Sequence, residues 1–230
     1  MSQENIAAQL QKYWSELMPY DCLLVPVSKT KPSEDLMIAY DAGNKIFGEN
    51  KVQELVEKHD SLPSDIQWHF IGHLQRNKVK YIAPFVSLIH AVDSDRLIKE
   101  INKQARKNNR VIACLLQVHI ASEEAKFGFT PAEVKALVSS PIWDEIDHVK
   151  IVGLMGMATN TPDQNQIRQE FKIVHVLFED LKQLNLPEQF DLKELSMGMS
   201  ADYKIALEEG STMIRVGSDI FGMRNCQINV

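Results

Sequence analysis

A chain of 230 residues with 44% hydrophobic content can bury one sizeable core and is cramped for two. Its 25 basic and 31 acidic side chains leave a net charge of −6, which favours solubility and argues against a nucleic-acid or anionic-membrane partner. Cys22, Cys114 and Cys226 lack metal or redox spacing, as suits a reducing compartment, and the start has no cationic stretch followed by an apolar one, so a cytoplasmic protein is expected.

In chain order, Ile6, Leu10, Trp14 and Leu17 fall at helical spacing and predict an opening amphipathic helix. Short apolar runs then predict strands at 23–27, 45–48, 67–71, 88–91, 112–118, 149–155, 194–197 and 213–216. Helical patterns lie between them at 34–42, 51–58, 95–107, 131–139, 164–184 and 201–208. Repeated strand-then-helix units without a break in composition imply parallel strands joined by crossovers, and eight strands can close on themselves. The expected fold is α/β: one domain over 1–230, an eight-stranded parallel β/α (TIM) barrel with an extra N-terminal helix. An open doubly wound sheet is the alternative. No Gly-x-Gly-x-x-Gly follows the first strand and no Gly-Lys-Ser/Thr occurs, so a nucleotide-binding fold has little support.

The run LLVPV stops at Ser28 and Lys29, ahead of Thr-Lys-Pro. A buried strand ending there delivers Lys29 to the C-terminal rim of the sheet, where parallel α/β folds keep their chemistry. In a closed barrel the last strand lies beside the first, so IRVGSDIFG brings Arg215, Val216 and Gly217 near Lys29. The preceding unit ends in SMGMSADYK, where Gly198 makes a turn and Ser200 is a candidate N-cap for the next helix. Loops after strands seven and eight are the usual phosphate site of such barrels. A lysine, a phosphate cradle and an arginine together describe a site for a phosphorylated aldehyde, and that combination points to pyridoxal 5'-phosphate (PLP). A Schiff base needs an uncharged amine, so the Lys29 pKa is expected to be lowered by burial or by Arg215 nearby. Arg215, an always-charged donor, would meet the pyridine nitrogen and keep it unprotonated.

The segments VSKTKP, FGENKVQE, WHFIGHLQRNK, GLMGMA and LSMGMSADYKIALEEGSTMIRVGSDIFG resemble, in order and almost end to end, the pyridoxal phosphate homeostasis proteins. That family is similar in fold to the N-terminal barrel of alanine racemase. The resemblance implies that Lys29 binds the cofactor covalently and that Asn50 faces its ring. It also implies that Ser196, Gly198, Met199, Ser200, Arg215, Val216 and Gly217 supply the phosphate and pyridine contacts. His69 and His73 would lie within reach of the pocket. Lys126 and Gly128 match a lysine-glycine segment of the family without a derivable role, and the wall offered by GLMGMATNTP is less well defined by the match.

The implied function is to hold PLP and take part in its homeostasis as carrier or reservoir, with PLP-dependent apoenzymes as possible recipients and a monomer as the default state. A PLP-dependent amino-acid racemase is the first rival. It needs a second acid/base on the opposite cofactor face, and the sequence runs to Val230 directly after its predicted barrel. A metal-dependent barrel hydrolase, built on His69, His90 and His119, is the second.

Overall fold

The computed structural model describes residues 3–121 and 127–222. Eight parallel strands follow the order β1-β8-β7-β6-β5-β4-β3-β2. They are β1 (Leu23–Pro26), β2 (Ile46–Glu49), β3 (Gln67–Phe70), β4 (Leu88–Val92), β5 (Ile112–Val118), β6 (Val149–Gly156), β7 (Phe190–Ser196) and β8 (Met213–Val216). Just beyond β1, Val27 bridges to Gly48 of β2, and the Ser28 N–H donates to the Gly48 carbonyl at 3.0 Å. The two ends of the sheet therefore meet, and the chain forms a nearly closed barrel rather than an open sheet.

Helix α1 (Gln3–Leu17) precedes β1, and α2 (Ser33–Asp41), α3 (Val52–Ser61), α4 (Val79–Ile82), α5 (Asp95–Lys107), α6 (Pro131–Val138), α7 (Gln164–Lys182) and α8 (Tyr203–Glu208) follow β1 to β7 in turn. After β8 comes the single turn α9 (Ser218–Phe221). Strand residues alternate between two apolar clusters. Leu24 and Ile214 join the large outer core under the helices, whereas their neighbours Val25 and Met213 join a smaller cluster with Leu88, Leu115 and Met155 inside the barrel. Because both faces are covered, β5 reads as an almost unbroken apolar run, IACLLQV.

The structure departs from the expected elements in instructive places. In α1 the buried stripe is Ile6, Leu10, Tyr13 and Leu17, with Trp14 half-buried. At 3.6 residues per turn Tyr13 lies nearer the centre of that stripe, and its hydroxyl is satisfied by Asp219 Oδ2 at 2.8 Å. Strand β7 begins at Phe190, before the expected 194, because Asp191, Lys193 and Glu194 hide it from a search for apolar runs. Helix α8 begins at Tyr203 with Asp202 at the cap position, so Ser200 is not the N-cap and sits instead in the preceding turn. That turn is closed by the Met199 N–H donating to Asp202 Oδ1 at 2.5 Å.

Candidate functional site

A cavity of 340 Å³ opens among the C-terminal ends of the strands. Lys29 and Lys31 enter its wall from the loop after β1, and Asn50 enters from the end of β2. The loop after β7 contributes Met199, Ser200 and Ala201; β8 and its loop contribute Arg215, Gly217 and Ser218. These residues lie far apart in the chain and meet because β1 pairs with β8, in a register that sets Val25 beside Arg215 and Pro26 beside Val216. Lys29 itself is half-buried. The Ser200 and Ser218 hydroxyls stand 3.4 Å apart, two neutral donors on one side of the wall.

Three of the expected residues shape this wall from behind. Gly198 has φ +90°, and a Cβ there would lie 2.7 Å from the Ala206 Cβ and 2.9 Å from the Tyr203 Cα. Only glycine fits so close to α8 with that backbone. The Gly198 carbonyl accepts the Arg215 N–H at 3.0 Å, and the Val216 carbonyl accepts the Val27 N–H at 2.7 Å, so both residues hold strands in register. Ser196 is fully buried and points into the barrel.

The barrel interior below the cavity is polar. Arg215 is 4% exposed and donates from Nη1 to Ser196 Oγ at 2.5 Å and from Nη2 to the Gly156 carbonyl at 3.2 Å. Burial lowers its pKa to about 10, with Asp202 acting in the opposite direction. At neutral pH the guanidinium stays charged. Ser196 Oγ is also 3.1 Å from His90 Nδ1, and His90 Nε2 is 3.1 Å from His69 Nδ1. Since Arg215 can only donate, the Ser196 hydroxyl hydrogen is free to go to His90 Nδ1; His90 then donates from Nε2 to His69 Nδ1. Burial pushes the His69 pKa down to about 4 and that of His90 well below the usual imidazole range, with His69 and Arg215 adding to the His90 shift. Both rings are therefore neutral at pH 7.

The other sequence candidates fall elsewhere. His73 does not line the cavity: its Nδ1 is 3.0 Å from Asp93 Oδ2 and its ring stacks on Phe127, beside a separate depression of 710 Å³. The His119 Nε2 lies 2.9 Å from the Ala121 carbonyl. No group of three or more metal-ligating His, Cys, Asp or Glu side chains occurs among the described residues. Lys126 lies outside the described residues. Lys31, Met157, Ala201 and Ser218 are wall residues that the sequence reading missed; Lys31 was discoverable, since it sits two residues past Lys29 in a segment leaving a strand.

Such a nearly closed parallel barrel is an alanine racemase N-terminal fold, and residues 1–225 match the model of the alanine racemase N-terminal domain family. A pyridoxal phosphate homeostasis protein of Aquifex aeolicus is 40% identical over 203 residues, covering 87% of this chain and 86% of that protein. The human protein of the same name is 40% identical over 213 residues, with 88% and 76% covered. The chain belongs to this family of pyridoxal phosphate homeostasis proteins. Its fold also superposes on PipY of Synechococcus elongatus at 35% identity, over 94% of this chain and all of that one. The TM-score is 0.87 for the structure without PLP and 0.83 for the one with PLP bound.

Proposed function

We propose that this protein binds pyridoxal 5'-phosphate in the 340 Å³ cavity, covalently through Lys29, and serves the homeostasis of that cofactor as a carrier or reservoir. The observation that carries the reading is the meeting of a half-buried lysine, a charged arginine and two serine hydroxyls in one cavity. A further fit comes from Asn50, a wall residue whose buried Oδ1 has no hydrogen-bond partner among the described residues and is an acceptor to be satisfied by a ligand donor. When bound, the cofactor supplies an aldehyde that condenses with a primary amine and a pyridine ring that withdraws electrons. Lys29 offers the amine. Ser200, Ser218 and the backbone around Met199 and Gly217 are the groups to take the phosphate, with Ser196, Gly198 and Val216 holding that backbone and Arg215 in place. Arg215 is the residue to face the pyridine nitrogen, and a permanent cationic donor there keeps that nitrogen unprotonated, which weakens the ring as an electron sink.

Holding is favoured over turnover. The wall contributed by the ends of β6 and β7 presents Met157 and Met199, thioethers with no proton to give to a substrate carbon. The relatives matched over most of their length are named for homeostasis, not for a reaction. In this reading the chain acts as one unit over 1–230, a cytoplasmic monomer that releases PLP to apoenzymes. No helix among the described residues is long and apolar enough to cross a membrane.

The test is chemical. Purified protein loaded with PLP should show a visible absorbance band, and borohydride should fix a pyridoxyl group on the peptide carrying Lys29. The Lys29→Ala variant should lose both while keeping its circular dichroism. An unmodified Lys29 in the loaded wild type sinks the proposal, and alanine racemisation at ordinary enzyme turnover overturns the carrier reading.

A further inference from the structure

Ser28 to Lys31 form a tight turn, closed by the Lys31 N–H donating to the Ser28 carbonyl at 3.0 Å. The turn sends Lys29 and Lys31 into the same cavity wall. Between them Thr30 has φ +64°, the left-handed conformation that the third residue of a type II turn requires and that glycine ordinarily supplies. A β-branched residue there is unfavourable unless something holds it. The holding groups come from α3 and the end of β2.

Glu54 Oε1 accepts the Thr30 N–H. Lys58, buried although it is a lysine, donates to the Ser28 carbonyl at 2.7 Å, to Glu49 Oε1 at 2.6 Å and to Glu54 Oε1 at 3.1 Å. Ser28 Oγ donates to the same Glu49 oxygen at 2.6 Å. Lys58 and Glu54 thus grip the backbone on either side of Lys29, and Glu49 holds Lys58 and the Ser28 hydroxyl, while the Lys29 side chain lines the cavity. We infer that Glu54 and Lys58 are positioning residues for Lys29: they fix the strained turn so that the amine meets an incoming aldehyde without the loop having to be ordered first. This rests on the proposed binding of PLP at Lys29, and it adds what sets the speed and strength of that attachment.

Glu54 is the better handle because its side chain is 20% exposed and its loss is compatible with folding. Glu54→Ala removes the acceptor of the Thr30 N–H, whereas Glu54→Gln retains an acceptor oxygen. In ligand-free protein, amide exchange at Thr30 should be slow in wild type and Glu54→Gln and fast in Glu54→Ala. On titration with PLP, wild type and Glu54→Gln should form the visible band alike, and Glu54→Ala should form it about tenfold more slowly and weakly, with unchanged circular dichroism. A folded Glu54→Ala that captures PLP like wild type overturns the inference, as does a Glu54→Gln that behaves like Glu54→Ala. If wild type itself carries no pyridoxyl group on Lys29, the cofactor reading has failed and this inference falls with it; if wild type carries it and Glu54→Ala captures PLP equally well, the cofactor reading stands and the positioning role alone is lost.

Discussion

Two buried polar assemblies flank the cavity, and they are built on opposite principles. Behind Lys29, charge is matched by charge: Lys58 faces Glu49 and Glu54, and Glu49 is fully buried. Beneath the other wall, the Arg215 guanidinium donates, among the described residues, to a hydroxyl and a carbonyl, and the chain of groups beyond it is neutral. Compensated charges bind each other and transmit position, which is what a strained turn needs. A guanidinium left without a carboxylate in contact keeps its field for whatever enters the cavity.

The largest effect comes from breaking the matched assembly. Lys58→Met leaves Glu49 buried, with one carboxylate oxygen, Oε2, that already has no hydrogen-bond partner among the described residues. Burial already raises the Glu49 pKa despite the opposing pull of Lys58 and Ser28. Losing one partner of such a pair costs about 3–5 kcal/mol of folding stability. Urea unfolding should register that loss, and adding Glu49→Gln should recover much of it; an unchanged midpoint in the single variant would mean that the pair is not formed in solution.

The neutral assembly is exposed by acid. An imidazole in the unfolded chain takes up a proton near its ordinary value of 6.5, while His69 in the folded protein holds out to about 4 and His90 also titrates well below that ordinary value. The folded state therefore binds fewer protons over that window, and stability that is complete above pH 6.5 is lost as pH falls toward 4. Each imidazole contributes a slope of about 1.4 kcal/mol per pH unit. Histidine NMR titration checks the cause directly: a His69 ring that protonates near its ordinary value refutes the neutral chain.

Much of the barrel was legible in the sequence, and the reasons are specific. Strands β5 and β8 have the expected limits because a strand covered on both faces is an apolar run with clear ends. Lys29, Arg215 and Gly217 were found together because barrel closure makes the first and last strands neighbours whatever their sequence separation. What stayed hidden depended on side-chain direction. Lys58 and Glu54 lie in the helical pattern over 51–58, which assigns them no role, yet Lys58 turns inward to a carbonyl thirty positions earlier in the chain. Ser196 is grouped by the resemblance with the phosphate and pyridine contacts, and the strand pleat aims its hydroxyl at Arg215 and His90. Nothing in residue type distinguishes these outcomes; the pleat and the helix rotation do.

The smallest expected effect on stability is the sharpest test of the comparison. Arg215→Met removes a charge that burial disfavours and that no contacting carboxylate repays, so folding stability should stay within about 1 kcal/mol of wild type. The apolar stem is kept, Ser196 retains His90 as a partner, and the Ser196 hydroxyl oxygen and the Gly156 carbonyl each lose one donor. Ligand capture should nevertheless weaken, because the cationic donor proposed for the pyridine nitrogen is gone. Urea unfolding and PLP titration on the same variant separate the two. A loss of stability as large as that of Lys58→Met would show that Arg215 is a structural ion after all, and that the two assemblies work alike.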